Sequence, residues 1–287
     1  MAQWPAPEAR VGRVTDDNEA APVRRVTLPM TGLTVSRLGF GTASLHHRFW
    51  RIDREALLTQ AADLGLTHLD TSPYYGDGLA ERDIGALPTA TRMRFTIATK
   101  VGLYPRMGTS ASSLGVRAKR LAARLWPGGG TPVADLSLQR VQRSLHNSLR
   151  RMRLEHIHLL LLHEPDWAAV KHDDLLGWLH RERDAGKIGS WGIAGTRHTV
   201  EPFLRRQSPL GNVVQTADSL EAREADYLSE YGRPMQITYG YLHRSHGTSV
   251  APKASDVLRA ALSRNSTGTV LVSTRSHAHL SEIAKLL

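Results

Sequence analysis

The apolar positions of the chain follow two alternating patterns. Short continuous apolar runs, typical of strands buried on both faces, are separated by segments whose apolar residues recur every three or four positions, as on the buried face of a helix. Ile157–His163 is an example of the first pattern. The segment after Asp53 follows the second pattern, with Leu57 and Ala61 on its apolar face, and ends at Gly65. The chain is therefore expected to alternate strands with helices.

Counting these segments gives eight strands with helices between them, which predicts an α/β fold of the TIM-barrel type, a (β/α)8 barrel with parallel strands. A hairpin over residues 25–35, turning at Gly32, is expected before the first barrel strand. The predicted strands are 35–41, 67–70, 94–99, 156–162, 188–193, 212–216, 235–239 and 268–273, and the predicted helices are 54–64, 79–87, 137–152, 172–185, 200–206, 219–231, 254–264 and 277–286.

Two segments do not follow this alternation. Residues 1–24 contain three prolines and scattered charges without a period, which predicts a flexible N-terminal arm before a single barrel domain over residues 25–287. Residues 101–135 are too long for an ordinary connection and are rich in glycine. They are expected to form either a lid or substrate loop with a short helix, or a partly disordered insertion.

Composition narrows the classes of protein that fit. The 287 residues include no cysteine, which excludes disulfides and thiolate metal sites. The formal net charge is +10, but the basic residues follow no nucleic-acid-binding motif, so no nucleic-acid partner is expected. No apolar run is long enough to span a bilayer, and the N-terminal segment lacks the apolar core of a secretory signal. A cytoplasmic location without a membrane partner is expected, and the sequence does not predict an oligomeric state.

Polar residues suited to proton transfer stand where three successive strands end. Asp70 ends the second predicted strand, and Tyr75 follows in the turn after it. The third strand leads to Lys100 and the fourth to His163. Because catalytic groups of a parallel barrel lie at the carboxyl ends of its strands, these four residues are expected to meet at one face.

These residues resemble the catalytic pattern of the aldo-keto reductase family. Asp70-Thr-Ser-Pro-Tyr-Tyr-Gly76 is similar to the family's motif after the second strand, and Lys100 and His163 follow in the family's order. Further similar segments are Leu38–Thr42, Ala185–Ile193 and Thr274–Ser276. The resemblance implies reduction of aldehydes or ketones to alcohols, or the reverse oxidation.

The resemblance also implies a role for each of the four residues. Tyr75 is expected to be the general acid, and the Lys100 ammonium beside it is expected to lower its pKa. Asp70 is expected to hold Lys100, and His163 to donate a hydrogen bond to the substrate carbonyl.

A nicotinamide cofactor is implied in the same way, because no side chain supplies hydride. The chain has no Gly-x-Gly-x-x-Gly after its first strand, so the dinucleotide is not expected in a Rossmann crevice. The family lays it across the barrel mouth, and the Arg275 guanidinium is expected to bind a 2′-phosphate, which favours NADP (NADPH) over NAD. The implied cofactor-binding residues are Gly41, Thr42, Asp70, Gln215, Tyr239, Gly240, Leu242, Ser273, Thr274, Arg275, His279 and Glu282.

The sequence also departs from the family. Ala194-Gly195 stands where many members of the family have serine and asparagine, whose side chains bind the carboxamide of the nicotinamide. His279 and Ile283 also replace residues that lie near the adenine of the cofactor in the family. These changes leave open a second hypothesis, a regulatory or sensor protein that binds the cofactor with weak or no turnover.

A third hypothesis, a metal-dependent hydrolase, comes from the pairs His156-Ile-His158 and His277-Ala-His279. Their positions at the start of a strand and within a helix argue against shared ligation, so no metal is expected.

The substrate is expected to be a small carbonyl or sugar-like compound, because Pro73–Glu81 resembles the branch of the family that acts on sugars. Aromatic and histidine side chains are candidates for the substrate pocket: His46, His47, Phe49, Trp50, Tyr74, Tyr104 and Trp167.

Overall fold

The computed structural model describes residues 25–46, 52–106, 108–109, 112, 114–116, 131–242 and 252–287. The strands are β1 Arg25–Thr27, β2 Thr34–Ser36, β3 Leu38–Gly41, β4 His68–Asp70, β5 Thr96–Val101, β6 Leu103–Tyr104, β7 Val133–Ala134, β8 Ile157–His163, β9 Ile188–Ala194, β10 Val213–Ala217, β11 Ile237–Tyr239 and β12 Thr269–Val272. The helices are α1 Arg54–Asp63, α2 Leu79–Ala86, α3 Thr89–Arg92, α4 Leu138–Met152, α5 His172–Asp184, α6 Arg197–Arg205, α7 Tyr227–Glu230, α8 Ala254–Arg264 and α9 His277–Ala284.

Eight of these strands form a closed parallel barrel. Going round it, β3 pairs with β4, then β5, β8, β9, β10, β11 and β12, which pairs again with β3. Alternate residues face the two sides of each strand. Leu159 and Leu161 lie in an apolar cluster with the inward residues of other strands, whereas Leu160 and Leu162 pack in the larger cluster formed with the helices. The predicted (β/α)8 barrel is confirmed.

The predicted hairpin is confirmed as well, with β1 and β2 pairing antiparallel. Its residues Leu28 and Val35 are fully buried and belong to the same cluster as the inward residues of the barrel. Arg37 then donates to the carbonyl oxygens of Asn265, Gly268 and Leu262, which fixes the start of β3 against β12 and α8.

Two predicted elements are wrong in detail. The expected strand 35–41 is divided, because Ser36 ends the hairpin and the barrel strand begins only at Leu38. The expected helix 219–231 is replaced by turns, a 3-10 turn at Glu224–Asp226 and the short helix α7. Arg223, with φ of 50°, interrupts it in the left-handed region. The side chain of Ser219 also accepts from the backbone of Ala222, a local bond that competes with helix formation.

The long connection after β5 begins and ends as a two-stranded sheet. Leu103 pairs with Ala134 and Tyr104 with Val133, and residues 114–116 are helical. About half of the predicted loop and the whole predicted arm, residues 1–24, lie outside the described residues, so both expectations stay predictions. No helix in the described part of the chain has the length and apolarity needed to cross a bilayer.

Candidate active site

Three strand ends bring the predicted catalytic residues into contact. The Lys100 Nζ donates to Asp70 Oδ1 at 2.5 Å, to the Thr71 carbonyl oxygen at 3.1 Å and to the Tyr75 hydroxyl at 3.2 Å. Lys100 and Asp70 are 1% and 3% exposed, so their charges are paired out of reach of bulk water. The ammonium therefore connects a carboxylate with a phenol.

The turn after β4 places the Tyr75 ring. The Tyr75 amide donates to the Ser72 carbonyl oxygen, which starts the turn behind Pro73. Gly76 has a φ of 58°, and a Cβ there would overlap the His46 ring, so the turn requires glycine for both its backbone and its space. His46 is itself held by Asp83 at 2.6 Å.

His163 lies beside Tyr75 with its ring edge to face, at 6.2 Å between ring centroids. Burial and the nearby charge of Lys100 lower the pKa of His163 to about 3, so the imidazole is neutral at physiological pH. Its Nδ1 lies 3.5 Å from the Ser72 hydroxyl. A neutral imidazole retains one N–H and is able to donate it to a ligand oxygen.

The predicted direction of the Tyr75 pKa shift is wrong for this structure. Burial raises the pKa of Tyr75 well above its usual value, and the charges of Asp70 and Glu164 raise it further. Lys100 does not reverse the shift, because its charge is paired with Asp70. The phenol is therefore held in its protonated form.

These groups open onto a cavity of about 370 Å³ at the barrel mouth. Ten of the predicted site residues line it: Gly41, Asp70, Tyr75, Lys100, His163, Gln215, Tyr239, Gly240, Leu242 and Ser273. Residues that the sequence analysis did not assign to the site also line it, namely Ala43, Glu164, Ala217, Tyr241, Leu258, Leu271 and Val272, and so does Ala194, one of the departures from the family pattern.

Five predicted cofactor residues do not line the cavity. Thr42 is buried and donates through its hydroxyl to the Asp70 carbonyl oxygen at 3.0 Å, which supports the catalytic strand end. Thr274 accepts from the Ser276 amide and so forms the turn before α9. Arg275 and His279 are exposed at the start of that helix, and Glu282 pairs with Lys285 at 2.6 Å.

The aromatic candidates for the substrate pocket are distributed differently from the prediction. Tyr74 lies edge to face against His163, at 6.5 Å between centroids. Tyr104 is buried, and its hydroxyl accepts from the Gly102 amide, while Trp167 packs on His172 and Phe203. None of these rings lines the cavity in the part of the chain that the structure describes. His47, Phe49 and Trp50 lie outside the described residues.

The histidine pair at the start of β8 serves the barrel framework. His158 Nδ1 accepts from the Ile97 amide at 3.1 Å, and burial lowers the pKa of His158 to about 4. His156 contacts the Gly186 carbonyl oxygen at 2.7 Å. Among the described residues, no group of three or more His, Asp or Glu side chains is arranged to hold a metal ion.

Ala194-Gly195 has a structural explanation. A Cβ on Gly195 would overlap the Thr199 hydroxyl and lie 3.0 Å from Glu164 Oε2. Glu164 Oε2 accepts from Thr199 Oγ1 at 3.0 Å. The space above Gly195 that an asparagine side chain would occupy is thus taken by the Glu164–Thr199 contact.

Residues 37–201 match the sequence profile of the Aldo/keto reductase family, and the chain belongs to that family. It is similar to D-threo-aldose 1-dehydrogenase of Pseudomonas sp, with 28% identity over 84% of this chain and 66% of that protein. It is also similar to L-galactose dehydrogenase of Arabidopsis thaliana, with 27% identity over 64% of this chain and 52% of that protein. A third similar protein is pyridoxal 4-dehydrogenase of Microbacterium luteolum, with 34% identity over 58% of this chain and 54% of that protein. The chain spans between about half and two thirds of the length of these relatives.

The fold is also that of solved aldo-keto reductases. The glycerol dehydrogenase of Gluconobacter oxydans superposes with a TM-score of 0.68 at 19% identity, over 92% of this chain and 90% of that one. The aldo-keto reductase of Klebsiella pneumoniae in complex with NADPH superposes with a TM-score of 0.62 at 17% identity, over 92% of this chain and 89% of that one.

Proposed function

We propose that the chain catalyses the NADPH-dependent reduction of aldehydes or ketones to alcohols, or the reverse oxidation, with Tyr75 as the general acid. The observation that carries this proposal is the contact of Lys100 Nζ with both Asp70 and the Tyr75 hydroxyl, beside a cavity of about 370 Å³. The family's named members, dehydrogenases and reductases of small molecules, support it.

The raised pKa of Tyr75 suits a proton donor. The buried phenol keeps its proton until an alkoxide, a much stronger base, develops next to it. When the proton leaves, the Lys100 ammonium stabilises the phenolate at 3.2 Å, and Asp70 keeps that ammonium in place. His163, neutral because its pKa is lowered to about 3, donates a hydrogen bond to the carbonyl oxygen and orients it. In the reverse direction Tyr75 first loses its proton, and its phenolate, stabilised by the Lys100 ammonium, accepts the proton of the alcohol.

The cavity also suits a nicotinamide cofactor, which when bound supplies the hydride. The Oε1 of Gln215 is buried at the cavity wall and has no hydrogen-bond partner among the described residues. A buried acceptor without a partner is costly, and a carboxamide N–H of a ligand would satisfy it. Tyr239 lines the same wall. Arg275 is exposed just before the N-terminus of α9, where a phosphate is favoured. Structural neighbours solved with NADPH or NADP support this choice of cofactor.

A small carbonyl or sugar-like substrate is the class that the relatives support. D-threo-aldose 1-dehydrogenase and L-galactose dehydrogenase carry sugars in their names.

Fluorescence titration and a turnover assay test the proposal together. NADPH is expected to bind to the purified chain and to be oxidised when small aldehydes are added. Binding without turnover of any aldehyde would instead favour the regulatory or sensor hypothesis. Absence of NADPH and NADH binding would contradict the proposal.

Arg275 tests the choice of cofactor. Replacing it with alanine is expected to weaken NADPH binding about ten- to a hundredfold, since a charged partner of a phosphate contributes about 1.5 to 3 kcal/mol. NADH, which lacks the 2′-phosphate, is expected to bind nearly unchanged. Calorimetry with both cofactors measures the difference. Arg181→Ala is the control, because it removes the same charge from an exposed position in the last turn of α5. Equal losses for NADPH and NADH would show that Arg275 acts through the fold alone.

A further inference from the structure

The wall of the cavity next to His163 carries a second carboxylate, that of Glu164. Glu164 lines the cavity together with Tyr75 and Tyr239. Burial raises the pKa of Tyr239 to about 12, and the charge of Glu164 is the next cause. The same carboxylate also raises the pKa of Tyr75, although burial and the charge of Asp70 are larger causes of that shift. Glu164 therefore acts electrostatically on the cavity in which the reaction is proposed to occur.

The Glu164 side chain is held from one side only. Its Oε2 accepts from the Thr199 hydroxyl at 3.0 Å and from the Thr196 amide at 3.5 Å, at the start of α6. Neither group carries a charge. Within the described part of the chain, no lysine or arginine forms an ion pair with Glu164 and its Oε1 has no hydrogen-bond partner. The carboxylate thus keeps an unused acceptor and an unpaired charge.

The backbone at this position is also unusual. Glu164 has a φ of 48°, in the left-handed region. Glycine adopts that conformation without steric cost, whereas a residue with a Cβ does so at a cost. Strained backbone positions of this kind cluster at functional sites, where the side chain has a role that offsets the cost.

The charges in the cavity wall do not cancel. Asp70 and Lys100 form a close pair at 2.5 Å, and His163 is neutral because its pKa is lowered to about 3. Among the other described residues that line the cavity, only Glu164 is an acid or a base apart from the tyrosines, whose phenols are protonated at neutral pH because burial raises their pKa. The described part of the wall therefore carries a net negative charge, and it is located at Glu164.

We propose that Glu164 selects substrates by charge and by hydroxyl groups. Its carboxylate repels carbonyl compounds that carry a carboxylate or phosphate, and its Oε1 accepts a hydrogen bond from a hydroxyl of a neutral, polyhydroxylated substrate. Cationic carbonyl compounds are tolerated for the same electrostatic reason. This inference rests on the proposed reductase function and assigns Glu164 as a specificity-determining residue of that site.

A pair of aldehydes with the same shape and different charge tests the proposal. The probes are 4-formylbenzamide, which is neutral, and 4-carboxybenzaldehyde, which is anionic. The wild-type chain is expected to favour the neutral probe in kcat/KM by about tenfold or more, as expected for two charges several ångströms apart in a site of intermediate dielectric. Glu164→Gln, which keeps the shape of the side chain and one acceptor oxygen for Thr199 and Thr196 but removes the charge, is expected to bring the ratio close to that of the two aldehydes' intrinsic reactivities, chiefly by raising kcat/KM for the anion.

Asp184→Asn is the matched control. It removes the same charge from the exposed C-terminal end of α5, and it is expected to leave the ratio unchanged. A loss of both activities in equal proportion in Glu164→Gln would assign that residue a structural role and overturn the inference. Turnover of neither aldehyde by the wild-type chain would overturn the proposed function and the inference with it, whereas turnover of both with an unchanged ratio in the variant would overturn the inference alone.

A second measurement does not depend on the folding of the variant. The wild-type chain is expected to prefer a 4-formylphenyl trimethylammonium ion over 4-carboxybenzaldehyde, relative to their reactivities with borohydride in solution. The opposite order would contradict the presence of an effective negative charge at Glu164.

Discussion

Replacing Tyr75 with phenylalanine is expected to lower kcat for carbonyl reduction about 10²- to 10⁴-fold, the range that a positioned general acid contributes. The variant keeps the ring that packs against His163 and removes only the hydroxyl that Lys100 contacts at 3.2 Å. In the proposed mechanism His163 still polarises the carbonyl in this variant, so a residual rate is expected. Single-turnover oxidation of NADPH isolates the chemical step from product release.

Tyr74→Phe is the matched control, because it removes the neighbouring phenol of the same turn. Tyr74 also lies against His163, but Lys100 does not contact it among the described residues. Its removal is expected to change kcat less than about tenfold, since the proposed mechanism gives Tyr74 no part in proton transfer. Both variants are expected to bind NADPH as the wild type does. If Tyr75→Phe retained most of the wild-type rate in single turnover, another group would be the proton donor.

The architecture was largely accessible from the sequence because strand and helix patterns in a barrel are strong and local. The run ending at His163 lies on β8, and Asp53 caps α1 by accepting from the Ala56 amide at 2.9 Å. The predicted helix over 219–231 is wrong because the periodicity of apolar residues does not account for local side-chain-to-backbone hydrogen bonds. Asp218 and Ser219 bind backbone amides of the segment, and Arg223 adopts a left-handed conformation.

In the candidate site, too, some features are predicted by the sequence and others depend on the assembled fold. Asp70, Tyr75, Lys100 and His163 were found because the chain order of strand ends fixes which side chains meet at the barrel mouth. Glu164 was missed, although it follows His163 directly, because a glutamate after a strand is usually solvated. The pKa direction of Tyr75 was missed because it depends on burial, and burial appears only when the turn, the strands and the cavity wall are assembled.

A buried charge network holds the residues directly after β11, which line one side of the cavity. Asp218, at the end of β10, accepts from the Tyr241 hydroxyl at 2.6 Å and from Arg264 Nε at 2.7 Å. Its side chain is fully buried. Tyr241 and its neighbours Gly240 and Leu242 line the cavity, so Asp218 connects the stability of the fold with the shape of the site. Burial by itself raises the pKa of Asp218, but the bonds from Arg264 and Tyr241 outweigh it, and the net pKa lies below its usual value.

Asp218→Asn is therefore expected to lower the free energy of unfolding by about 3 kcal/mol, near the low end for breaking a buried ion pair. The low end applies because Arg264 keeps a second partner, Asp226, at 2.6 Å. Urea unfolding of the apo chain at pH 7 measures the change. The variant is also expected to bind NADPH more weakly, because the loop at Tyr241 loses its anchor.

Asp226→Asn is the matched control, since it removes a carboxylate from the same arginine at a position about half exposed. It is expected to cost less than about 1 kcal/mol, as exposed ion pairs do. The pH dependence adds a second criterion. Because the pKa of Asp218 is lower in the folded chain, its contribution is present above the ordinary aspartate pKa of about 3.9 and is lost as the pH falls through the folded value. The stability difference between wild type and Asp218→Asn should therefore narrow below about pH 4. Equal costs for the two variants at pH 7 would mean that the Asp218 carboxylate is no more important to the fold than its exposed counterpart.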